Sequence, residues 1–546
     1  MAEPSLGDSK IIETSANHLE GLDNVASEKF QDNSVEAAKH ELNRVDLDQL
    51  SRDAITFKSR ATLRLAVVII IQGLSVAAFA IDGSSIGGIT ALPAFRSYFH
   101  VGTSGAALGI INAAMSIGNV CASPFQWLSD LIGRRGVSFL GNVILVCSGV
   151  LMAAAPNTEC LIVGRVFSGV GASLSATVGP LYMSEIAPSS RRGLAIGLYC
   201  ACYSIGAIVI AVVLLGGSYM EGNWSWRLPM VFQIGAPFIV ACLIYVCTPE
   251  SPRYLYANGK IEQAREVIAR YHTSSEDIND AVVTAEIEQI RESMERHDAK
   301  PWDFSPLYKT INSRRRLWII FLYSFFQQCN GSGMLSYYLP GVLNLVGIIN
   351  TQQVLGVNLG ITVVSYLSTV VGSFIVDRVR RRTLLLTGWS VYIFFLALMA
   401  LCGGLYASGT GEKPVGYIMI VALFMFNICT GLFVNALHNM YPNEVLHYSQ
   451  RAKGMGMYSF FQNSFGFAMS YGFSVVLADL QWKTYFVFMG INAFAIYATW
   501  QWFPEFRHLS LEEIDLVFET DGTLPVALAN KLQDAKKERR QELHLA

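Results

Sequence analysis

The sequence predicts an all-α integral membrane protein with twelve transmembrane helices in two pseudo-symmetric six-helix bundles. Two observations carry this. The first is composition: of 546 residues, 52% are hydrophobic and only 15% charged, with a mean hydropathy of +0.38. That is more apolar than a soluble surface can be. Twelve runs of roughly 20 apolar residues recur, each long enough to cross about 30 Å of hydrocarbon as a helix. The second is repetition. Residues 164–193 read GRVFSGVGASLSATVGPLYMSEIAPSSRRG, and the spacing of Tyr182, Glu185 and Arg192 returns in Tyr441, Glu444 and Arg451. Asp130-Leu-Ile-Gly-Arg-Arg is matched by Asp377-Arg-Val-Arg-Arg-Arg, and Pro249-Glu250 by Pro504-Glu505.

Taken in order, residues 1–62 are polar, acidic and lack an apolar period, which predicts a disordered tail. Acidic and polar residues follow Met1, so no cleaved leader is expected and the first span serves as the insertion signal. The first bundle, 63–248, holds spans at about 63–89, 106–128, 137–155, 161–183, 194–216 and 229–247. Within the fourth, Gly169 and Gly171 are spaced for close helix contact. Residues 249–316 are polar, and two stretches there carry apolar residues three and four apart, predicting short amphipathic surface helices. The second bundle, 317–505, holds spans at about 317–346, 353–376, 383–406, 415–438, 454–477 and 485–503, and a charged tail, 506–546, follows.

Basic residues in the short loops set the orientation. Arg134, Arg135, Arg191, Arg192, Arg378, Arg380, Arg381, Arg382, Arg451 and Lys453 share one side, whereas the other holds little beyond Arg96, Arg227, Lys413 and Lys483. The first side is therefore expected to be cytoplasmic, with both tails and the central loop. A cell-membrane location follows, with a glycosylation sequon at Asn223-Trp-Ser facing outward. The ten cysteines fall in or beside the apolar runs, as small apolar residues would, so no disulfide framework is expected. No Cys or His spacing suits a metal, no nucleotide loop or nucleophile–base arrangement points to an enzyme or a cofactor, and the net charge of −2 suggests no nucleic acid.

The doubled Asp-x-x-Gly-Arg-Arg type loops, Gly164-Arg165, Tyr182 through Gly193, Pro249-Glu-Ser-Pro-Arg253, Gln327-Gln328 with Tyr337-Tyr338, and Tyr441-Pro-Asn-Glu444 resemble the sugar porter family of the major facilitator superfamily. Asp82-Gly-Ser, Ser336-Tyr-Tyr-Leu and Arg451-Ala-Lys-Gly are most similar to fungal lactose-permease-type members. The resemblance implies the major facilitator fold, a central substrate site and alternating access by a monomer in the lipid bilayer.

Three sets of site residues follow. Glu185 and Glu444 end spans near Arg-rich loops, and cross-half salt bridges there would close the inner face. The alternative is that the arginines only fix topology and touch headgroups. By resemblance the gate comprises Arg134, Arg135, Glu185, Arg192, Arg381, Arg382, Glu444 and Arg451, with Arg380 standing where the family usually has Gly. Asp82 lies deep in the first span, where an ionised carboxylate costs a few kcal/mol or more unless paired. The resemblance pairs it with Arg165 and makes it the carrier of a coupled proton. Desolvation favours the acid and the arginine the carboxylate, so the pair either switches or stands as a fixed link between spans.

Sugar recognition needs amides, hydroxyls and aromatic faces. Gln327, Gln328, Asn330, Ser332, Tyr337, Tyr338 and Asn439 form the expected set, although Cys200, Ser365 and Asn439 replace the family's usual amides and Trp. Three readings stand: a proton symporter for a hexose or disaccharide-like sugar, a same-fold carrier of another metabolite, and a transporter-like nutrient sensor.

Overall fold

The structure is a computed structural model of the 546-residue chain. It describes residues 59–102, 105–188, 191–295, 303–333, 350–376, 378–408, 413–446 and 451–506, and 339, 343, 517, 518 and 526 singly. Among these every regular element is helical. The first half comprises α1 (Arg60–Ile89), α2 (Ala106–Ala122), α3 (Arg134–Ala153), α4 (Thr158–Ile186), α5 (Arg192–Gly217) and α6 (Trp224–Cys247). Next come the amphipathic α7 (Ile261–His272) and α8 (Ala281–Glu295). The second half comprises α9 (Ile311–Cys329), α10 (Thr351–Val376), α11 (Arg381–Ala407), α12 (Lys413–Cys429), α13 (Met440–Val445), α14 (Arg451–Leu480) and α15 (Thr484–Trp502). Nine described helices are long and apolar enough to cross a membrane, and α9, α14 and α15 occupy the places of the seventh, eleventh and twelfth spans.

Side-chain oxygens begin several helices. Ser59 accepts from Thr62 N at 3.3 Å and Asn157 from Cys160 N at 2.9 Å, each satisfying an amide that the helix leaves unpaired. The third span starts at Arg134 rather than near residue 137, because the Glu250 carboxylate takes the first two amides, Arg134 N at 3.0 Å and Arg135 N at 3.3 Å.

Glycine sets the packing of α4. A Cβ on Gly169 would sit 2.1 Å from Met115 O, and one on Gly171 would sit 2.7 Å from Gly141 O. The backbone of α4 thus touches that of α2 through one glycine and that of α3 through the other, an approach no larger residue permits. The connecting helices dock on the end of α4. His272, 3% exposed, presents Nδ1 to Glu286 Oε2 at 2.5 Å and Nε2 to Ile186 O at 3.0 Å. Ala264, Ile268, Val283 and Ile287 form the small core beneath.

The tenth span departs from the single helix expected over 415–438. After α12 the chain makes a π-type turn, Thr430–Val434, then a 3₁₀ turn, Asn435–Leu437, and resumes as α13. Pro442 lacks the N–H that His438 O would accept four residues on, so the ladder cannot run through.

The halves meet unevenly. Away from the arginines, Leu214 of α5 and Leu355 of α10 close around Gly88 of α1, and one apolar core runs from this end of the first half through the second. At the arginine-bearing end, Leu65, Val68, Tyr182, Met183 and Tyr199 form a separate core of the first half alone.

Candidate functional site

The arginine-rich face carries one network twice. In the first half Arg134 forms a two-toothed bond to Glu185, Nε to Oε2 at 2.9 Å and Nη2 to Oε1 at 3.1 Å. Glu185 also accepts from Ser251 Oγ, and Tyr182 Oη donates to Pro249 O at 2.6 Å. In the second half Arg381 Nη2 lies 3.4 Å from Glu444 Oε1, Glu505 accepts from Arg381 N at 3.1 Å and Arg382 N at 2.9 Å, and Tyr441 Oη donates to Pro504 O at 3.1 Å. The carboxylates echoed in the two Pro-Glu pairs are therefore helix caps, which satisfy exposed amides and oppose the positive end of the helix dipole.

The gate expectation set such pairs across the halves; the Arg134–Glu185 and Arg381–Glu444 pairs each lie within one half. An arginine in the first turn of α3 or α11 stands directly over the end of its own bundle's Glu-bearing helix, so the nearest carboxylate is an internal one. Arg135 likewise turns inward, to Thr248 O at 3.1 Å and over the Tyr245 ring at 4.7 Å, and Arg382 Nη2 reaches Trp500 O. Asp130 lies 3.0 Å from Arg134 Nη1, yet burial pushes its carboxyl above the ordinary range against the pull of that arginine. The two turns differ: Gly133 has φ 85°, whereas Arg380 reaches the same helix start from an extended φ of −63°. The side chains of Arg192 and Arg451, like the whole of Asp377, Tyr337 and Tyr338, lie outside what the structure describes.

Deeper in the first half, Asp82 and Arg165 meet at 3% and 1% exposure. Arg165 Nη1 lies 3.5 Å from Asp82 Oδ1 and 3.4 Å from Asp82 O, and its Nη2 is 3.9 Å from Met115 Sδ. Ser168, one turn after Arg165, donates its hydroxyl to Asp82 Oδ2. The arginine contact is long for a charge-assisted bond, and Arg165 Nε is buried without a partner. A small cavity lined by Asp82, Ser148, Met152 and Gln233 opens beside the carboxylate. Ser168 was not anticipated, although its spacing from Arg165 places both on one face of the helix.

The amides sit in the second half. Gln327 is 7% exposed and donates to Tyr323 Oη at 2.7 Å. Gln328 is half-buried at the seam between halves: a Cβ on Gly466 of α14 would lie 3.6 Å from its Oε1 and 3.9 Å from Ser116 Oγ of α2. Asn330 caps its own helix. Its Oδ1 accepts from Ser332 N at 2.8 Å and its Nδ2 donates to Gln327 O at 3.0 Å, so both ends of the amide serve to finish α9. Ser332 is half-buried beside it, and Asn439 is exposed just before α13. Sequence reasoning missed Tyr323, Tyr458 and Gln462, which pack against the break in the tenth span; the signal available was the pentapeptide Tyr-Ser-Phe-Phe-Gln, present at both 323–327 and 458–462.

Two like helical halves, a buried ion pair in one and amides at their seam define a multi-span membrane carrier of the major facilitator fold. The model of the family described as "Sugar (and other) transporter" matches residues 66–518, and the chain belongs to that family. Among relatives, the galactose-proton symporter of Escherichia coli (strain K12) is 27% identical over 438 residues, covering 80% of this chain and 90% of its own. Probable polyol transporter 6 of Arabidopsis thaliana is 29% identical over 433 residues, 76% of this chain and 86% of the relative. The fold matches the inward-open xylose transporter XylE from E. coli at a TM-score of 0.69 and 18% identity, over 83% of this chain and 100% of that one.

Proposed function

We propose that the chain is a secondary active transporter that moves a sugar or polyol by alternating access and draws on a proton gradient. The observation that carries this is the buried Asp82–Arg165 pair with its Ser168 donor. One long arginine contact and one hydroxyl hold the carboxylate loosely, which suits a proton carrier. Gln327 and Gln328 are the first substrate contacts, joined by Ser332, Asn439, Tyr337 and Tyr338. Residues 63–248 and 317–505 move as two bodies. Arg134, Arg135 and Glu185 stiffen the inner end of one; Arg381, Arg382 and Glu444 stiffen the other. The protein works as a monomer in the cell membrane with both termini and the 249–316 segment in the cytoplasm.

A second reading, a same-fold carrier of a non-sugar metabolite, draws on the use of Asn330 as a cap, which removes one amide from the hydroxyl-binding set. Uptake of labelled D-galactose, D-xylose, lactose and myo-inositol into transporter-deficient cells decides between them. Accumulation of at least one solute, abolished by an uncoupler, is the expected result. Failure of all four to enter favours the non-sugar carrier, and accumulation that ignores the uncoupler removes the proton.

A further inference from the structure

The repeated pentapeptide is not a product of the internal symmetry. Its copies lie in the seventh and eleventh spans, both in the second half, whereas the repeat relates the seventh span to the first and the eleventh to the fifth. What the copies share is a neighbour, the broken tenth span. Tyr323 Oη donates to Leu437 O at 2.9 Å, and Tyr458 Oη donates to His438 O at 2.8 Å. These are consecutive carbonyls at the break, and the second has lost its helical donor to Pro442. The two tyrosines are 0% and 1% exposed, with ring centroids 6.2 Å apart.

Each hydroxyl has one proton, which goes to the carbonyl, and each accepts in turn from the glutamine one turn further on. Gln327 Nε2 lies 2.7 Å from Tyr323 Oη, and Gln462 Nε2 lies 3.1 Å from Tyr458 Oη. Gln462 Nε2 also reaches His438 Nε2 at 3.1 Å, so the same amide touches the imidazole at the break. Both chains run in one direction, from amide through hydroxyl to carbonyl. A donor on the tyrosine oxygen strengthens the bond its proton makes, so the amides support the grip on the break. Beyond the break, α13 carries Tyr441 and Glu444, the tenth span's contacts in the arginine-face network.

We propose that Tyr323 and Tyr458 are positioning residues that tie the state of Gln327 and Gln462 to the break in the tenth span. A solute hydroxyl that takes an amide N–H removes the donor from the tyrosine, loosens its hold on Leu437 or His438, and frees α13 to hinge with the arginine face. The purpose of this device rests on the transport reading, but its test needs no solute, so the two can fail separately.

The test is hydrogen exchange on the full-length protein in lipid nanodiscs, read in peptides spanning 435–445. Tyr323→Phe and Tyr458→Phe each remove one buried hydrogen bond to the break, and exchange there should rise about five- to tenfold, with peptides of α10 and α11 unchanged. Gln327→Met and Gln462→Met touch no backbone of the tenth span, yet should raise exchange at the same peptides about twofold to fivefold. Unchanged exchange in the Met variants breaks the link between amides and break. An equal rise across the whole second half in the Phe variants reduces the tyrosines to general packing, and either result overturns the proposal.

Discussion

The two halves share a frame and differ in what they bury. Counted back from the common Tyr-x-x-Glu, the place of Arg165 in α4 is Phe424 in α12. The first half therefore holds a charged pair beneath an unbroken helix, α4, which runs through Pro180 to Ile186. The second half has no arginine at that place and instead lines a broken span with neutral amides and phenols. Under the proposed function, ionisation and solute recognition would fall in different halves. Both halves keep the same kind of arginine-face network. An intact helix leaves few free carbonyls beside a buried charge, although Asp82 O still lies 3.4 Å from Arg165 Nη1. A broken one suits uncharged ligands, since freed carbonyls recruit hydroxyls and amides.

The largest expected effect tests that division. Asp82→Asn keeps the shape of the side chain and its contact with Ser168 but cannot titrate, so accumulation against a gradient should vanish while solute exchange stays measurable. Gln327→Met should do the reverse, raising KM about tenfold or more while an uncoupler still lowers uptake. Accumulation surviving in Asp82→Asn, or coupling lost in Gln327→Met, would erase the distinction between halves.

The networks offer a finer comparison through thermal melting of the purified protein. Glu185→Gln breaks a two-toothed pair whose side chains are 11% and 4% exposed, and about 2–3 kcal/mol of stability should go with it. Glu444→Gln acts on a pair at 3.4 Å with the carboxylate 21% exposed, and should cost about 1 kcal/mol. Equal losses would mean that the two pairs are stiffer twins than their geometry indicates. Smallest is the turn. Gly133→Ala forces a Cβ onto φ 85° and to within 2.4 Å of Glu250 Oε2, for about 1–2 kcal/mol, whereas Arg380→Gly should change melting by less than about 0.5 kcal/mol. A tolerant Gly133 would show that the cap does not need the left-handed turn.

The sequence by itself determined the span order, the doubling and the place of the buried charge. Each is local: an apolar run, a repeated spacing, or one aspartate among residues that cannot solvate it is visible without knowing what lies alongside. Gly169 and Gly171 were legible for the same reason, because a small residue in an apolar span leaves room for a neighbour whichever helix fills it. Tertiary structure alone decided partners. Arg134 and Glu185 announce an ion pair, but only the docking of α3 on the end of α4 makes it internal to one half rather than a bridge between two. Asn330 reads as a ligand amide, and only the fold shows Ser332 N on its Oδ1 and Gln327 O on its Nδ2. The tenth span reads as one helix because hydropathy does not register a missing N–H; only the fold shows Tyr458 taking the His438 carbonyl that Pro442 leaves and Tyr323 taking Leu437 O beside it. A hydrogen bond needs both partners in place, and the second partner of each of these lies far along the chain.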